Sequence, residues 1–238
     1  MTKTSTQPEN MHLPELPACP VGESDCAALT QIQNLRRSLE ELSQLVRTDP
    51  LTGIANYRFF VMALEQEIER TQRNGQPTSL IMLDIDFFKK VNDDWGHEIG
   101  NQALIHVSQQ ILETVRKLDI TCRYGGEEFA VILPNTELAA SIPVANRIRQ
   151  QIADSPLQVG DKPLVLTASL GIDTFLPGQS CTPEELVQRA DHYLYQAKQQ
   201  GRNQVCHASL KPLDMVSREE REVLFNLFGR NDRKKDAE

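Results

Sequence analysis

The chain has 238 residues, of which 39% are hydrophobic, and its formal net charge is -8 at pH 7. This length allows one domain with a good core plus flanking segments, and it is short for two full domains. A general nucleic-acid-binding protein needs a surplus of Lys and Arg against backbone phosphates, so the acidic balance excludes that class. A small anionic substrate is compatible with the charge, because a few cations and a metal ion can outweigh a negative average.

The sequence indicates neither a targeting signal nor a disulfide framework. Residues 1–22 lack the basic start and apolar stretch of a secretory signal, and no later stretch is long and apolar enough to span a bilayer. We therefore expect a cytoplasmic protein without a membrane span. The cysteines are odd in number and form no C-x-x-C pair, which favours reduced thiols: Cys19, Cys26, Cys122, Cys181 and Cys206.

The N-terminal region divides into two segments. Residues 1–24 are interrupted by prolines and show no periodicity, which predicts a flexible lead. In residues 25–47, apolar side chains recur at alternating steps of three and four, at Ile32, Leu35, Leu39, Leu42 and Val46. This spacing is typical of a parallel coiled coil and predicts a helical stalk that pairs two chains. Because the run is just under three heptads, a helix packed on its own domain is the alternative.

Helices and strands alternate in residues 48–208, which predicts one α/β domain. The predicted elements are a helix from the Asn56 cap to about Asn74, a buried strand at 79–86, a helix at 101–116, a hairpin of 120–124 with 128–133, a helix at 137–154, strands within 164–174 and a helix beginning at Thr182-Pro183. Residues 209–238 are predicted to be a C-terminal tail with one short amphipathic helix and a charged end.

Two acidic pairs stand beside predicted strands. Asp84 and Asp86 close the buried strand, and Glu127 and Glu128 follow the glycines of the hairpin. If these strands are neighbours, the carboxylates converge at one edge, where their repulsion requires a cation and their oxygens favour Mg²⁺ or Mn²⁺. Metal held by carboxylates beside a sheet is typical of phosphoryl and nucleotidyl transfer. The alternative for each pair alone is a solvated strand end, with a type I′ turn at Gly125-Gly126.

Other residues suit a triphosphate. Glycines at positions 125 and 126 allow close approach of the backbone to a phosphate. Lys89, Lys198 and Arg202 are candidate phosphate-binding cations, although each one alone is more often a surface charge.

Residues 123–129 read RYGGEEF and resemble the signature of the GGDEF family of diguanylate cyclases in its GGEEF form. The resemblance extends from about Thr48 to His207, with further family motifs in the expected order: DPLTGIAN at 49–56, DIDFFKKVND at 84–93 with Gly96-His97 and Gly100, and Ala190-Asp191, Tyr195, Ala197-Lys198 and Gly201–Asn203 near the end. It implies a central mixed, mainly antiparallel sheet flanked by helices, as in the palm of nucleotidyl cyclases and polymerases. It also implies condensation of two GTP into cyclic di-GMP and two pyrophosphates.

The resemblance further implies metal-binding and catalytic roles. Asp84, the Ile85 carbonyl and Glu127 would hold two Mg²⁺ or Mn²⁺ ions per half-site. Glu128 would complete the acidic edge and help to deprotonate the attacking 3′-hydroxyl. In the family each domain holds one GTP, and two domains face each other across a two-fold axis. We therefore expect a homodimer, which a parallel stalk favours.

The resemblance assigns substrate contacts in the same way. Asn92 would read the guanine edge, and the phosphates would meet Lys89, Lys198, Arg202, Gly125 and Gly126. Asn101 stands where the family usually has an Asp that accepts hydrogen bonds from guanine. Its amide oxygen still accepts, but an uncharged bond is weaker by about 1 kcal/mol. We expect weaker GTP binding or looser base choice, which also allows a mixed GMP–AMP product. Tyr57 is a second departure, where the family often has Arg.

Regulation is indicated by two features. Arg116 and Asp119 match the family's R-x-x-D site, and Arg147 matches a secondary arginine, which implies feedback inhibition by cyclic di-GMP. The alternative is an Arg–Asp surface pair at a helix end. Because residues 1–47 are too few for a sensory domain, we expect control through the stalk, by dimerisation or by a separate regulatory protein.

Two other functions compete with catalysis. One is a catalytically weak GGDEF domain that acts as a receptor for GTP or cyclic di-GMP, and the other is a structural dimerisation protein. The intact acidic signature favours the enzyme.

Overall fold

The structure, a computed structural model, describes residues 30–38 and 47–209. Residues 30–38 are helical. Beyond them, the strands are β1 (Ala55–Asn56), β2 (Thr78–Ile85), β3 (Ile120–Arg123), β4 (Glu128–Leu133), β5 (Leu157–Val159), β6 (Lys162–Leu164), β7 (Ala168–Phe175) and β8 (Val205–His207). The helices are α1 (Tyr57–Asn74), α2 (Phe88–Trp95), α3 (His97–Thr114), α4 (Leu138–Asp154) and α5 (Pro183–Gln199).

Six strands form one sheet in the order β1-β3-β4-β2-β7-β8, while β5 and β6 form a separate hairpin. The outer pairs β1–β3 and β7–β8 are parallel, and the three pairings between them are antiparallel. The central strand β2 is buried along its whole length, as its continuous apolar run predicted. The expected mixed, mainly antiparallel sheet flanked by helices is confirmed.

Helices cover both faces of the sheet. Because side chains alternate along a strand, Ile81 and Leu83 of β2 join the core with α3 and α4, whereas Leu80 and Met82 join the core with α1 and α5. The result is a three-layer arrangement in which the sheet is the middle layer. This packing fixes the ends of β2 and β4 relative to α5, and those ends carry the site described below.

Local capping explains where two helices begin. The Asn56 side chain accepts a hydrogen bond from the Phe59 N–H at 3.0 Å, and Gly75, at φ 71, ends α1. Thr182 and Glu185 form a reciprocal capping box at the start of α5, with Pro183 in the first turn. Both helix starts agree with the predicted ones.

The region between β2 and β3 differs from prediction. It holds two helices rather than one, since α2 precedes α3, and α3 begins at His97 rather than near Asn101. Neither helix has a side-chain N-cap: α2 follows Phe87, which is left-handed at φ 57, and α3 follows Gly96 at φ 82. The usual Ser, Thr, Asp or Asn signal was therefore missing from the sequence.

The predicted stalk is described only in part. Within the helical residues 30–38, Ile32 and Leu35 are 37% and 58% exposed, while Leu39, Leu42 and Val46 lie outside the described residues. Residues 1–24 and 210–238, with the predicted lead and most of the predicted tail, also lie outside them. The coiled coil stays a prediction. No helix within the described residues is long and apolar enough to cross a membrane.

Candidate active site

The acidic residues meet where β2 ends and β4 begins. Asp84 is directly opposite Glu128 in the antiparallel register, and the Ile85 N–H donates to the Glu127 carbonyl at 3.2 Å. The structure therefore brings Asp84, Ile85, Glu127 and Glu128 together at one edge of the sheet, which we call the acidic rim. Asp84 and Ile85 are more than 40 positions from Glu127 and Glu128 in sequence, and the pairing of β2 with β4 brings them together.

Lys198 joins the acidic rim from α5. Its Nζ lies 2.8 Å from Oδ2 of Asp84, whose side chain is 9% exposed. The helix approaches the sheet closely at Gly171 of β7, where a Cβ atom would lie only 2.1 Å from the Leu194 backbone nitrogen. A glycine at this position thus lets α5 bring Lys198 to the rim.

Burial and mutual repulsion disfavour negative charge at the rim. Burial raises the pKa of the Asp84 carboxyl, and the Lys198 ammonium offsets only part of that effect. Burial, and then repulsion from Asp84, also raise the pKa values of Glu127 and Glu128. Three carboxyls that are costly to ionise together form a site that a cation stabilises.

The rim suits Mg²⁺ through its donor chemistry. Mg²⁺ is usually bound by one or two carboxylates together with waters and substrate phosphates, rather than by a cage of protein ligands. Among residues 30–38 and 47–209, no three His, Cys, Asp or Glu side chains form a ready-made metal cage. Asp84 and Glu127, with the Ile85 carbonyl, offer hard oxygen donors to this kind of open site, and Lys198 now supplies the positive charge beside Asp84.

The glycine turn is not a type I′ turn. Neither Gly125 nor Gly126 has a positive φ, whereas a type I′ turn needs two such residues. The backbone N–H groups of Tyr124 and Gly125 both donate to the Glu128 carbonyl, at 2.8 and 3.2 Å. A Cβ at Gly125 would lie 2.5 Å from Oε2 of Glu128, while one at Gly126 would meet nothing within 4 Å. Gly125 therefore makes room for the Glu128 side chain, and Gly126 is open to a ligand.

Arg123 stabilises this glycine turn, and no pattern in the sequence predicted this role. Its Nη2 donates to the Gly126 carbonyl at 2.8 Å, and its Nη1 lies 3.3 Å from Oδ1 of Asp49, 74 positions earlier. Burial raises the pKa of Asp49, but hydrogen bonds from Thr52 and then the charge of Arg123 outweigh it and leave the pKa below its usual value. The start of the domain is thus linked directly to the glycine turn.

The two predicted guanine contacts lie at the corner between α2 and α3. A Cβ at Gly100 would lie 1.9 Å from Oδ1 of Asn92, so the Asn92 side chain occupies space that only glycine leaves. Asn101 follows Gly100 and is exposed in the first turns of α3. Lys89 is exposed three residues before Asn92 on α2, a spacing that places the two on one helix face.

Arg202 lies beside the other end of α2. Its guanidinium carbon is 4.5 Å from the centre of the Phe87 ring, which immediately precedes the helix. Asp86, predicted with Asp84 as an acidic pair, is hydrogen-bonded to Ser169, Thr167 and the Asn203 N–H. Its oxygens are therefore already engaged by the protein.

The three predicted inhibitory residues are also brought together. Oδ2 of Asp119 accepts from the Arg116 N–H at 2.8 Å, and Arg147 donates to the Thr114 carbonyl at the end of α3. Burial raises the pKa of Asp119, while the Arg116 N–H and the charges of Arg116 and Arg147 oppose the rise. Asp119 precedes the first residue of β3, and the glycine turn follows the last one, so the two are separated by at least the length of this strand, about 13 Å at the usual rise per residue.

Tyr57, the second departure from the family pattern, packs beside the turn. Its ring lies edge-on to Tyr124 with centroids 5.1 Å apart, and Phe60 contacts Tyr124 in the same way at 5.3 Å. Burial raises the pKa of Tyr124 to about 12. An aromatic cluster thus supports the residue that precedes Gly125.

Comparison with known proteins identifies relatives of this arrangement. The family described as "Diguanylate cyclase, GGDEF domain" matches residues 46–204. The response regulator PleD of Caulobacter vibrioides is 43% identical over 184 residues, which cover 74% of this chain and 40% of PleD. The diguanylate cyclase DgcP of Pseudomonas aeruginosa is 40% identical over 167 residues, which cover 70% of this chain and 25% of DgcP. The chain therefore spans two fifths or less of these relatives.

Solved structures of diguanylate cyclases and GGDEF domains are also similar to this chain. Diguanylate cyclase SiaD from Pseudomonas aeruginosa, in complex with its activator SiaC, matches with a TM-score of 0.66 and 38% identity over 75% of this chain and 68% of SiaD. The coiled coil and GGDEF domain of DgcB from Caulobacter crescentus, in complex with c-di-GMP, matches with a TM-score of 0.65 and 30% identity over 76% of this chain and 95% of that one. The chain belongs to the GGDEF diguanylate cyclase domain family.

Proposed function

We propose that the protein is a diguanylate cyclase, a nucleotidyltransferase that condenses two GTP molecules into cyclic di-GMP and two pyrophosphates. The observation that carries the proposal is the acidic rim: Asp84, Glu127 and Glu128 meet at the ends of two paired strands, and Lys198 lies against them. Oxygen donors for divalent cations and a phosphate-binding cation are what nucleotidyl transfer requires at one place.

One GTP would lie along α2. Asn92 and Asn101 would contact the guanine at the corner with α3, and Lys89, on the Asn92 face of the helix, would reach the phosphates. Arg202, stacked on Phe87, and Lys198 at the rim would bind the β- and γ-phosphates. Gly126, with open space in front of it, would let the turn approach them.

Each half-reaction joins two nucleotides held by two domains. The 3′-hydroxyl of one GTP attacks the α-phosphate of the other, a new P–O bond forms, and pyrophosphate leaves. Two divalent ions, held by Asp84, Glu127 and the Ile85 carbonyl, would polarise the phosphate and neutralise the leaving group. Glu128, which lies directly opposite Asp84 at the acidic rim, would take the hydroxyl proton as the general base. Lys198 and Arg202 would stabilise the departing pyrophosphate.

The reaction needs a two-fold arrangement of domains, and we propose that residues 25–47 pair two copies of the chain. The match to a structure of a coiled coil joined to a GGDEF domain supports this. A regulatory protein that acts on the stalk is the proposed route of control, and the SiaD–SiaC complex shows that one relative has a protein activator.

The identity of the reaction product distinguishes a diguanylate cyclase from a receptor. Purified protein incubated with GTP and Mg²⁺ is expected to release cyclic di-GMP and pyrophosphate, identified by mass spectrometry, and chelation of the metal should stop the reaction. Tight binding of GTP or cyclic di-GMP without turnover, in the presence of Mg²⁺ and at concentrations that permit dimers, would instead establish a receptor.

Asn101→Asp is expected to tighten GTP recognition. A charged acceptor for the guanine N1–H and amino group strengthens the contact by about 1 kcal/mol, so the KM for GTP should fall about fivefold and discrimination against ATP should rise. Steady-state kinetics with each nucleotide, and a GTP–ATP mixture analysed for a mixed product, measure both effects. Unchanged KM and base preference would show that Asn101 does not contact the base.

Arg116→Ala is expected to relieve feedback inhibition. Removal of its guanidinium leaves the site with fewer bidentate donors for a guanine or phosphate, so the concentration of cyclic di-GMP that halves activity should rise about tenfold or more. Lys117→Ala, an exposed neighbour, is the matched control. Activity without added product should be unaffected in both variants, and equal sensitivity of Arg116→Ala and the natural enzyme would contradict the assignment.

A further inference from the structure

Asp86 is a buried carboxylate whose two oxygens are held by protein donors. It is 5% exposed, its Oδ1 accepts from the Ser169 hydroxyl at 2.6 Å, and its Oδ2 accepts from the Thr167 hydroxyl at 2.8 Å and from the Asn203 N–H at 3.0 Å. These donors come from β7, from the segment before it and from the loop after α5. The carboxylate therefore joins three parts of the chain at the end of β2.

The loop after α5 has a backbone conformation that requires stabilising contacts. Arg202 and Asn203 are consecutive non-glycine residues with positive φ values of 63 and 44. Asn adopts left-handed backbone more readily than other residues with a Cβ, but the conformation is unfavourable for Arg202 and persists there only because the surroundings hold it. The Arg202 N–H donates to the Ala197 carbonyl of α5, whereas the Asn203 N–H donates to Asp86. The bond to Asp86 ties this loop to the end of β2 beside the acidic rim. Two further bonds hold the loop elsewhere: the Leu170 N–H of β7 donates to the Gln204 carbonyl at 2.9 Å, and Arg149 of α4 donates to Oδ1 of Asn203 at 3.1 Å.

The segment that contains Asp86 also positions the guanidinium of Arg202. Phe87 directly follows Asp86, and the Arg202 guanidinium stacks on its ring at 4.5 Å. One short segment thus holds the peptide group that follows Arg202, through the bond from the Asn203 N–H to Asp86, and the Arg202 guanidinium, through Phe87. A carboxylate offers about four lone-pair sites, and three of those of Asp86 accept protein hydrogen bonds, so it is better suited to hold a loop than to coordinate a metal.

We infer that Asp86 is a positioning residue for nucleotide binding, which sets the place of Arg202 for the triphosphate. The inference rests on the proposed function, in which Arg202 binds the β- and γ-phosphates. Asp86 acts through the Asn203 N–H and does not touch the substrate. Its removal should therefore weaken GTP binding only as far as Arg202 contributes to it.

A double-mutant cycle tests this dependence. Asp86→Asn introduces an NH₂ group among three donors, so the loop loses its acceptor or its register. The KM for GTP is expected to rise about tenfold, a typical cost of losing an outer partner of a binding residue, with a smaller change in kcat. In the Arg202→Ala background, Asp86→Asn should change KM less than about twofold. An equal rise in KM in both backgrounds, or no rise in either, overturns the inference.

Two further variants separate positioning from folding. Asp173→Asn removes another buried carboxylate of β7, which pairs with Arg189, and it should lower the melting temperature without raising KM. Thr167→Val removes one donor and leaves the Asp86 carboxylate in place, so it should give a smaller rise in KM than Asp86→Asn. If Asp173→Asn raises KM as much as Asp86→Asn, the effect is general destabilisation and the inference is wrong.

The cycle is also run by calorimetric titration of GTP in the presence of Mg²⁺. If the natural protein binds GTP but forms no cyclic di-GMP, the proposed activity fails, and the dissociation constants of the four proteins still decide the role of Asp86. Additive effects of the two substitutions on binding would overturn the inference alone. Absence of GTP binding by the natural protein would overturn both.

Discussion

Glu127→Gln is expected to lower cyclic di-GMP synthesis by about 10²–10³-fold, the cost of removing one group that stabilises charge in a transition state. The substitution keeps the shape of the side chain and removes one carboxylate from the acidic rim. The Lys198–Asp84 contact does not involve Glu127, so that ion pair should remain. Rates of product formation with saturating GTP and Mg²⁺ measure the loss.

The same variant is expected to be more stable than the natural protein when divalent ions are absent. Burial and the charge of Asp84 raise the pKa of Glu127, so the folded state holds its proton more tightly than the unfolded state does. The stability associated with that proton is present at acid pH and is lost as the pH rises through the raised pKa. At neutral pH the ionised Glu127 therefore opposes folding, and an uncharged Gln removes this opposition.

Thermal melting is measured at neutral pH, first with a chelator and then with Mg²⁺ and GTP. The two conditions test the stability of the metal-free protein and its stabilisation by the ligands. Without metal the variant should melt at a higher temperature, and Mg²⁺ with GTP should stabilise the natural protein more than the variant. Glu69→Gln, on the exposed side of α1, controls for the loss of one negative charge. A Glu127→Gln variant that keeps full activity would remove the acidic rim from the mechanism.

Elements with local signals were predictable. The apolar run of β2, the β3–β4 hairpin and the capping residues at Asn56 and Thr182 each carry their information within a few positions. The helix α2 was missed because Phe87 enters it in a left-handed conformation without a capping side chain. The strands β1, β5 and β8 were missed, and β6 overlaps the predicted strands only at Leu164, because each has only two or three residues, too few for a periodic pattern.

The site was predictable in its residue types and not in its long-range contacts. Family motifs indicated the acidic residues and the cations, but no local pattern shows that Lys198 reaches Asp84 or that Arg123 reaches Asp49. Such contacts depend on strand order and on how closely a helix approaches the sheet. Asp86 illustrates the same limit, because its partners lie 81 to 117 positions away, and the sequence alone grouped it with the metal-binding acids.

Gly171→Ala is expected to destabilise the domain and displace Lys198. A Cβ at this position would lie 2.1 Å from the Leu194 nitrogen and 2.2 Å from the Ala190 carbonyl oxygen, both backbone atoms of α5. Backbone atoms cannot rotate away as a side chain does, so the whole helix must move. Overpacking of this kind costs about 1–3 kcal/mol, which corresponds to a fall of several degrees in melting temperature.

Denaturant unfolding and GTP kinetics on the same samples test both consequences. Lys198 lies one helical turn beyond Leu194, so a helix pushed off β7 should lengthen the 2.8 Å contact with Asp84 and raise the KM for GTP. Gly171→Val should be worse than Gly171→Ala, since its larger side chain requires a greater displacement. Gly126→Ala is the control for stability, because its Cβ would meet nothing within 4 Å. If Gly171→Ala unfolds at the same denaturant concentration as the natural protein, α5 does not lie against β7 as described, and the placement of Lys198 at the acidic rim loses its structural basis.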